Sequence, residues 1–438
     1  MYAHIDMNSY FASVEQQANP HWRGRPLGVC AYLHKNGCVI AASIEAKKKG
    51  AKVGMSLEEC RQVCPDMVFV QNDPPKYRAV TSRVFALLHE LTDKVEHYSI
   101  DEAFLDLAGW YRDPAEAAWA LCRTRLRIQA EVGDWLKCSV GIAPSKFLAK
   151  LASDLEKPNG LVILTPENLD QTLSSLEVEE AWGIGPRVRR RLNRLGIFTL
   201  MDLKRYPVAN LMRVLGKAGW VWHERLHGRD VDRFEQTGER PPKSIGHSFC
   251  VPRRATRENT ILPIMLRLTE RAGRRLRSFG LLARSMSIAV SCHPEGVRRA
   301  EGSGSFGYGP DSSTSLGMTG SVAFSEPAND IFSLADGATR LLEAMWDGKH
   351  TVSFLAVTLT DFVPPSGQLR FPLPEGEHEG VGGTVGEGER RQKTSCAVDA
   401  IRDRYGEESI VFASMLGLSR DYAPDRIGFR KTEGVDVA

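Results

Sequence analysis

Two acids stand side by side, Asp101 and Glu102, in the stretch "EHYSIDEAFLDL". A third, Asp6, lies in "HIDMNSYFASVE" near the start of the chain. Three carboxylates suffice to hold two magnesium ions, which prefer oxygen ligands and share them with substrate phosphates. Alternation from Tyr98 to Leu107 reads as a half-buried strand, with Ile100, Ala103, Phe104, Leu105 and Leu107 supplying enough apolar surface to dock it. Neighbouring side chains on a strand point to opposite faces, so the tandem acids can share a centre only at a strand end, hairpin tip or bulge. An edge strand guarded by one exposed acid is the alternative.

Other residues offer phosphate chemistry. Asp6 ends a predicted strand, and Asn8 can cap the helix that follows, whose amino end attracts anions. "SKFLAKLASDLEKPNG" places Lys146 and Lys150 one turn apart on a helix with Phe147, Leu148, Leu151 and Leu155 as its buried face. That pattern predicts that these two lysines are solvated. Lys157 differs, because a residue before proline has restricted backbone freedom and can aim its charge. In "WGIGPRVRRRLNRLGI", Gly183 and Gly185 allow a tight hairpin whose N–H groups can hold a phosphate. Arg187, Arg189, Arg190, Arg191 and Arg194 surround it. A solvated arginine face is the competing reading.

The elements that must position these groups fall into blocks. The start reads as a strand over His4–Met7 and a helix from Asn8, followed by short strands in "RPLGVCAYL" and "NGCVIAAS" and a helix in "SLEECRQVC". A helix spans about 75–91, and "CSVGIAPSK" gives a strand and turn into the helix that stops at Lys157-Pro158. After about residue 165 the pattern is helical. From Lys243 the order is strand, basic helix (259–279), strand (284–292), strand, helix (331–346) and strand (352–361), a βαββαβ unit. A Gly- and Ser-rich insert interrupts it over about 294–317, and "LPEGEHEGVGGTVGEGERR" reads as flexible linker. Arg253, Arg254, Arg257, Arg267, Arg271, Arg274, Arg275, Arg277 and Arg284 gather around the basic helix, a patch suited to phosphates.

The chain has 438 residues, 42% apolar and 25% charged, enough for about three domains. Its net charge of +3 neither requires nor excludes a nucleic acid. No apolar run approaches a membrane span, and the start lacks a secretory layout, so no membrane partner and a cytoplasmic location are expected. Nine scattered cysteines without a CxxC pair point to reduced, mostly buried thiols.

Taken in order, "HIDMNSYFASVE", "CVIAASIEAKKKGAKVGM", "YSIDEAFLDL", "CSVGIAPSKFLAKLASDLEKPNG" and "WGIGPRVRRRL" resemble the successive motifs of the Y-family, or translesion, DNA polymerases. The match covers about residues 1–361, and "AVDAIRDRYGEESIVFAS" resembles the tail of bacterial members of the polymerase IV and polymerase V type. The resemblance implies an α+β multidomain right hand. Its ferredoxin-like palm would take residues 1–10 and 75–165, small fingers 11–74, a helical thumb with a helix-hairpin-helix 166–232, and a βαββαβ little finger 243–363. Linker and tail would occupy 364–438. It further implies that Asp6, Asp101, Glu102 and the carbonyl of Met7 bind two Mg2+ ions. Tyr10, Phe11, Ser43, Lys47 and Lys157 would meet the nucleotide, the Phe11 ring excluding a 2′-hydroxyl. Gly183, Gly185, Arg187, Arg189 and Arg190 would meet DNA. The implied partners are primed template DNA and deoxynucleoside triphosphates, with polymerase V-type accessory proteins besides.

Three departures from the family pattern bear on these expectations. Ile44-Glu45-Ala46-Lys47 stands where many members have Tyr-Glu-Ala-Arg; Ile44 donates no hydrogen bond, and Lys47 offers a point charge without arginine's fork, which implies weaker nucleotide binding. Asn8 replaces an acid found in several members, as polymerase V-like chains also do. "SGQLRFPLPEG" only loosely matches a sliding-clamp peptide, so Gln368 to Leu373 reads equally as clamp contact or solvated linker. The expected activity is low-fidelity, non-proofreading DNA synthesis past damaged bases. Two alternatives stay open: a weak or inactive polymerase-like protein that binds primed DNA, and a nucleotide cyclase on a similar palm, which would leave the hairpin arginines without a role.

Overall fold

The computed structural model describes residues 1–33, 37–234, 242–251, 260–292, 316–346, 352–365 and 385–416. Twelve strands occur among them: β1 Tyr2–Met7, β2 Leu27–Cys30, β3 Val39–Ala42, β4 Val68–Gln71, β5 Val95–His97, β6 Glu102–Asp106, β7 Cys138–Ala143, β8 Leu161–Ile163, β9 Ser244–Cys250, β10 Leu282–Cys292, β11 Leu316–Ala328 and β12 Val352–Val363. The described residues divide into two units, one up to residue 234 and one from residue 242.

In the first unit a five-stranded sheet has the order β5-β6-β1-β7-β8. β1 is central and nearly all buried, and every residue of β7 is buried, as strands flanked on both edges and covered on their faces require. The helix Lys146–Leu155 packs on β7 and β1. It can lie flush because Gly141 on β7 has no side chain; a Cβ there would collide with the Ala149 carbonyl oxygen and the Ser153 amide. A smaller sheet, β3-β2-β4, surrounds a separate core of Cys30, Val39, Leu57, Cys60 and Met67. The chain then runs through helices Pro166–Ser175, Pro186–Asn193, Leu200–Arg205, Val208–Leu215 and Lys217–Leu226, whose core is continuous with Phe147 and Leu148.

The second unit follows the βαββαβ expectation, with sheet order β11-β10-β12-β9, all antiparallel. Met286, Ile288 and Val290 on β10 and Leu355, Val357 and Leu359 on β12 alternate inward, burying one sheet face under helices Leu262–Ser278 and Ile331–Met345. Arg253, Arg254, Arg257, the segment Gln368 to Leu373 and nearly all of the Gly- and Ser-rich insert lie outside the described residues.

Several expectations need correction. The end of the expected linker, "VGEGERR", is the first part of a 21-residue helix, Val385–Tyr405. That helix and the turn after it meet several arginines of Leu262–Ser278. Arg277 makes a two-pronged bond to Asp399 (2.6 and 2.9 Å), Arg271 meets Glu407 (2.8 Å), Arg274 meets Asp403, and Glu270 meets Arg402. Among the described residues, Arg271, Arg274 and Arg277 of the expected phosphate-binding patch are thus engaged by the chain's own acids. Lys146 and Lys150 are buried, not solvated, because acids from β5 and β6 receive them. Asn8 does not cap the first helix: Ser9 takes that position in a left-handed conformation, while Asn8 bonds the Ser139 hydroxyl and accepts from the Asn159 amide. All nine cysteines are free thiols, three of them exposed.

Candidate active site

The strand register brings the distant acids together. Asp6 on β1 lies directly opposite Glu102 on β6, so the two side chains leave the same sheet face. Asp101 is the last residue before β6. The backbone turns there, with Tyr98 and Ser99 amides both donating to the Glu102 carbonyl at 3.0 and 3.1 Å, and the Met7 amide donating to the Asp101 carbonyl at 3.0 Å. The tandem acids therefore sit at a strand end, the arrangement that lets both approach one centre.

At this end of the sheet lies a cleft of about 600 Å3. Asp6, Met7 and Asp101 form part of its lining, the amino end of helix Tyr10–Ala18 supplies Ser9, Tyr10 and Phe11, and Ile40, Ala42, Ile44 and Val53 line it as well. Lys47 and Lys157 bring positive charge. Phe11 is stacked on Tyr77 at 4.4 Å and 15°. Tyr77 is itself immobilised, its hydroxyl donating to Glu15 at 2.8 Å and its carbonyl accepting from Tyr10. The first helix amides have no intrahelical acceptors and Ser9 gives no side-chain cap, so the amino end of the helix presents N–H groups toward the cleft.

The electrostatics are those of crowded, partly dry carboxylates. Burial raises the Asp6 pKa to about 7 against the pull of Lys157, and the facing Glu102 and Asp101 add to the rise. Asp101 is also raised, by burial first, although the Ser99 hydroxyl holds its Oδ1 at 2.6 Å. Glu102 moves the other way: burial alone would raise it, but His4 and Lys150 lower it well below the carboxylate range. Lys157 donates to Asp6 at 2.6 Å and to Asp154; burial works against its charge, but these acids hold its pKa above the usual lysine value.

Not every expected residue reaches the cleft. Glu102 turns to Lys150, whose Nζ donates to Oε2 at 2.8 Å, and is not among the lining residues. Ser43 is fully buried, capping the helix Ile44–Lys48 through the Ala46 amide and accepting from the Leu27 amide, so its hydroxyl is spent on the backbone. Among the described residues no three His, Cys, Asp or Glu side chains stand close enough to share one metal ion. The donor set nonetheless suits a hard divalent cation: oxygen ligands only, two carboxylates on the wall of one cleft, a third in register beside them, and ammonium groups already drawn to Asp6 and Glu102. Tyr77 and His4 were invisible to sequence reasoning as site residues, and Lys150 was singled out but read as solvated; a buried tyrosine at a helical core position gives no separate signal.

A second feature lies further along this unit. Gly183 adopts φ +94°, a left-handed turn that glycine takes without strain, and Gly185 precedes the helix Pro186–Asn193 without a side-chain cap. Arg187, Arg190, Arg191 and Arg194 are exposed around it, while Arg189 is paired with Glu179.

Comparison with known proteins agrees with this geometry. Residues 5–154 match the impB/mucB/samB family, and residues 242–371 match its C-terminal domain. A DNA polymerase IV of Moorella thermoacetica is 33% identical over 408 residues, spanning 92% of this chain and 93% of that protein. A DNA polymerase IV 2 of Bacillus subtilis is 31% identical over 421 residues, spanning 94% and 93%. Among solved structures, a Y-family DNA polymerase chimera of Dbh and Dpo4 superposes with a TM-score of 0.69 at 26% identity, covering 83% of this chain and 99% of that one. With relatives similar along nearly its whole length and a matching fold, the chain belongs to the Y-family of translesion DNA polymerases.

Proposed function

We propose that this DNA polymerase extends the 3′-hydroxyl of a primer by two-metal nucleotidyl transfer, with Asp6, Asp101, Glu102 and the Met7 carbonyl holding two magnesium ions. Bound there, the ions would lower the pKa of the primer hydroxyl and neutralise charge on the reacting phosphates. The chain's own groups do the rest. Lys157 and Lys47 balance the triphosphate, and the amides at Tyr10 and Phe11 bond its oxygens at a helix amino end. The Phe11 ring, backed by Tyr77, leaves no room for a 2′-hydroxyl. Ile44 contributes packing only, which lowers nucleotide affinity. Ser43 acts through the Ile44–Lys48 helix that it caps.

Within the right-hand fold, residues 1–10 and 75–165 serve as palm, 11–74 as fingers, 166–232 as thumb and 243–363 as little finger. The hairpin at Gly183 and Gly185, with Arg187, Arg189 and Arg190, grips the phosphates of primed DNA, a contact that carries no sequence information. Such a palm, with short fingers, fits synthesis opposite damaged template bases without proofreading. Work on the chromosome implies a cytoplasmic location, and a sliding clamp at Gln368 to Leu373 and polymerase V-type accessory proteins are the partners to test.

One observation carries the reading: Asp6 and Asp101 share a cleft with Phe11, Lys47 and Lys157, and Glu102 lies in register with Asp6. Extension of a primed template with magnesium and four deoxynucleotides tests it. Glu102→Ala is expected to abolish extension, a loss of about a hundredfold or more, with DNA binding nearly intact. Extension by the variant at the parental rate would remove this acid from the mechanism. Ile44 leaves a second reading to be tested, a DNA-binding accessory protein without chemistry, against which the three acids stand and for which the parental chain itself would not extend.

A further inference from the structure

Glu102 is held from outside the cleft. Its Oε2 accepts from Lys150, and both side chains are largely buried, at 19% and 10% exposure. The Lys150 ammonium stands 5.4 Å from the centre of the Tyr98 ring. Tyr98 meets Phe104 edge-on at 5.1 Å and Trp182 edge-on at 5.7 Å. Trp182 immediately precedes Gly183, the left-handed glycine of the hairpin, and the Arg225 guanidinium packs 4.9 Å from its ring. A continuous line of contacts thus runs from the hairpin through Trp182, Tyr98 and Lys150 to the carboxylate.

A buried carboxylate requires a partner, and an aliphatic side chain in place of Lys150 would leave Glu102 only the His4 ring, 3.7 Å from its Oε2. An ammonium on a flexible stem, however, gives direction only if the stem is confined. The Tyr98 face confines it, by cation–π attraction and by contact, and Trp182 in turn fixes Tyr98. We propose that Lys150 is a positioning residue that orients Glu102 for the reaction, and that Tyr98 and Trp182 couple this orientation to the glycine hairpin.

The proposal rests on Glu102 being a metal ligand, which is tested separately by extension with the parental chain and Glu102→Ala. Lys150→Met removes the ammonium at similar volume. Two readouts should move in opposite directions. Mn2+ binding to the DNA-free protein, followed by the resonance of free Mn2+, is expected to tighten about threefold or more because a competing cation is gone. Single-turnover extension at saturating nucleotide is expected to slow about tenfold or more with nucleotide affinity little changed, since orientation matters in the transition state. Simple loss of structure would weaken metal and DNA binding together, and Mn2+ binding that is unchanged or weaker, or a rate within about twofold of the parent, overturns the role.

Should Lys150→Met fail to fold, Tyr98→Leu keeps the ion pair and is expected to slow extension in the same way to a smaller degree; an unchanged rate there rejects the role. Trp182→Leu tests the coupling: it is expected to slow the parent but add little in the Lys150→Met or Tyr98→Leu background, whereas full additivity rejects the link.

Discussion

Phe11 shows how much a single ring depends on what lies behind it. Stacked on a fully buried Tyr77 whose hydroxyl and carbonyl are both engaged, it is held from behind, so in the role proposed for it the ring could not retreat before a bulkier sugar. Phe11→Ala is expected to raise ribonucleotide incorporation relative to deoxyribonucleotide by about tenfold or more, measured with each nucleotide on the same primed template. A constant ratio would reduce the ring to packing. His97 offers a test of a different kind. Burial and the nearby His89 lower its pKa to about 4 from 6.5, so between these values the unfolded chain binds the proton first. Its contribution to stability is present above pH 6.5 and lost as the pH falls toward 4. His97→Gln is expected to flatten the fall of melting temperature over that window; an unaltered slope would count against burial as the cause.

At the scale of elements, the strands and most helices were legible because their periods are clean. β1 and β6 could be read, and the impossibility of two adjacent side chains sharing one face narrowed Asp101 and Glu102 to a strand end, hairpin tip or bulge, of which the structure has the strand end. The helix Lys146–Leu155 was also found, but its lysines were misassigned. Apolar spacing marks one buried face of a helix; it does not report that a second face meets Glu96 and Glu102, which lie 48 or more positions away. The helix Val385–Tyr405 was half missed for a related reason. Two glycines and many charges near its start resemble a linker, and its stability comes from ion pairs to arginines more than a hundred positions earlier. Asp399→Ala should therefore destabilise the second unit by about 3 kcal/mol, since it leaves the Arg277 guanidinium, only 5% exposed, without its carboxylate and with the Asn329 carbonyl as its remaining acceptor. Chemical denaturation reads this directly, and a change below about 1 kcal/mol would mean that the pair is worth no more than a surface contact.

Across the whole molecule, net charge says little about where DNA is held, because much of the positive charge is already used. Arg271, Arg274 and Arg277 face the chain's own acids, whereas Arg187, Arg190 and Arg191 face solvent. Arg190→Ala is accordingly expected to reduce the slope of log affinity against log salt by about one, and Arg274→Ala to leave it in place. Equal effects would return the second unit's helix to the list of phosphate contacts.

Gly141 limits how such a protein can vary. With the helix Lys146–Leu155 pressed directly on β7, any side chain at position 141 would force the two apart and displace the lysines from the acids they meet, so this contact is the fixed anvil of the site. If the cleft holds the nucleotide as proposed, adaptation to differently shaped templates or incoming bases falls to its aliphatic lining, Ile40, Ala42, Ile44 and Val53, where small exchanges change the space available and leave the sheet-helix contact untouched.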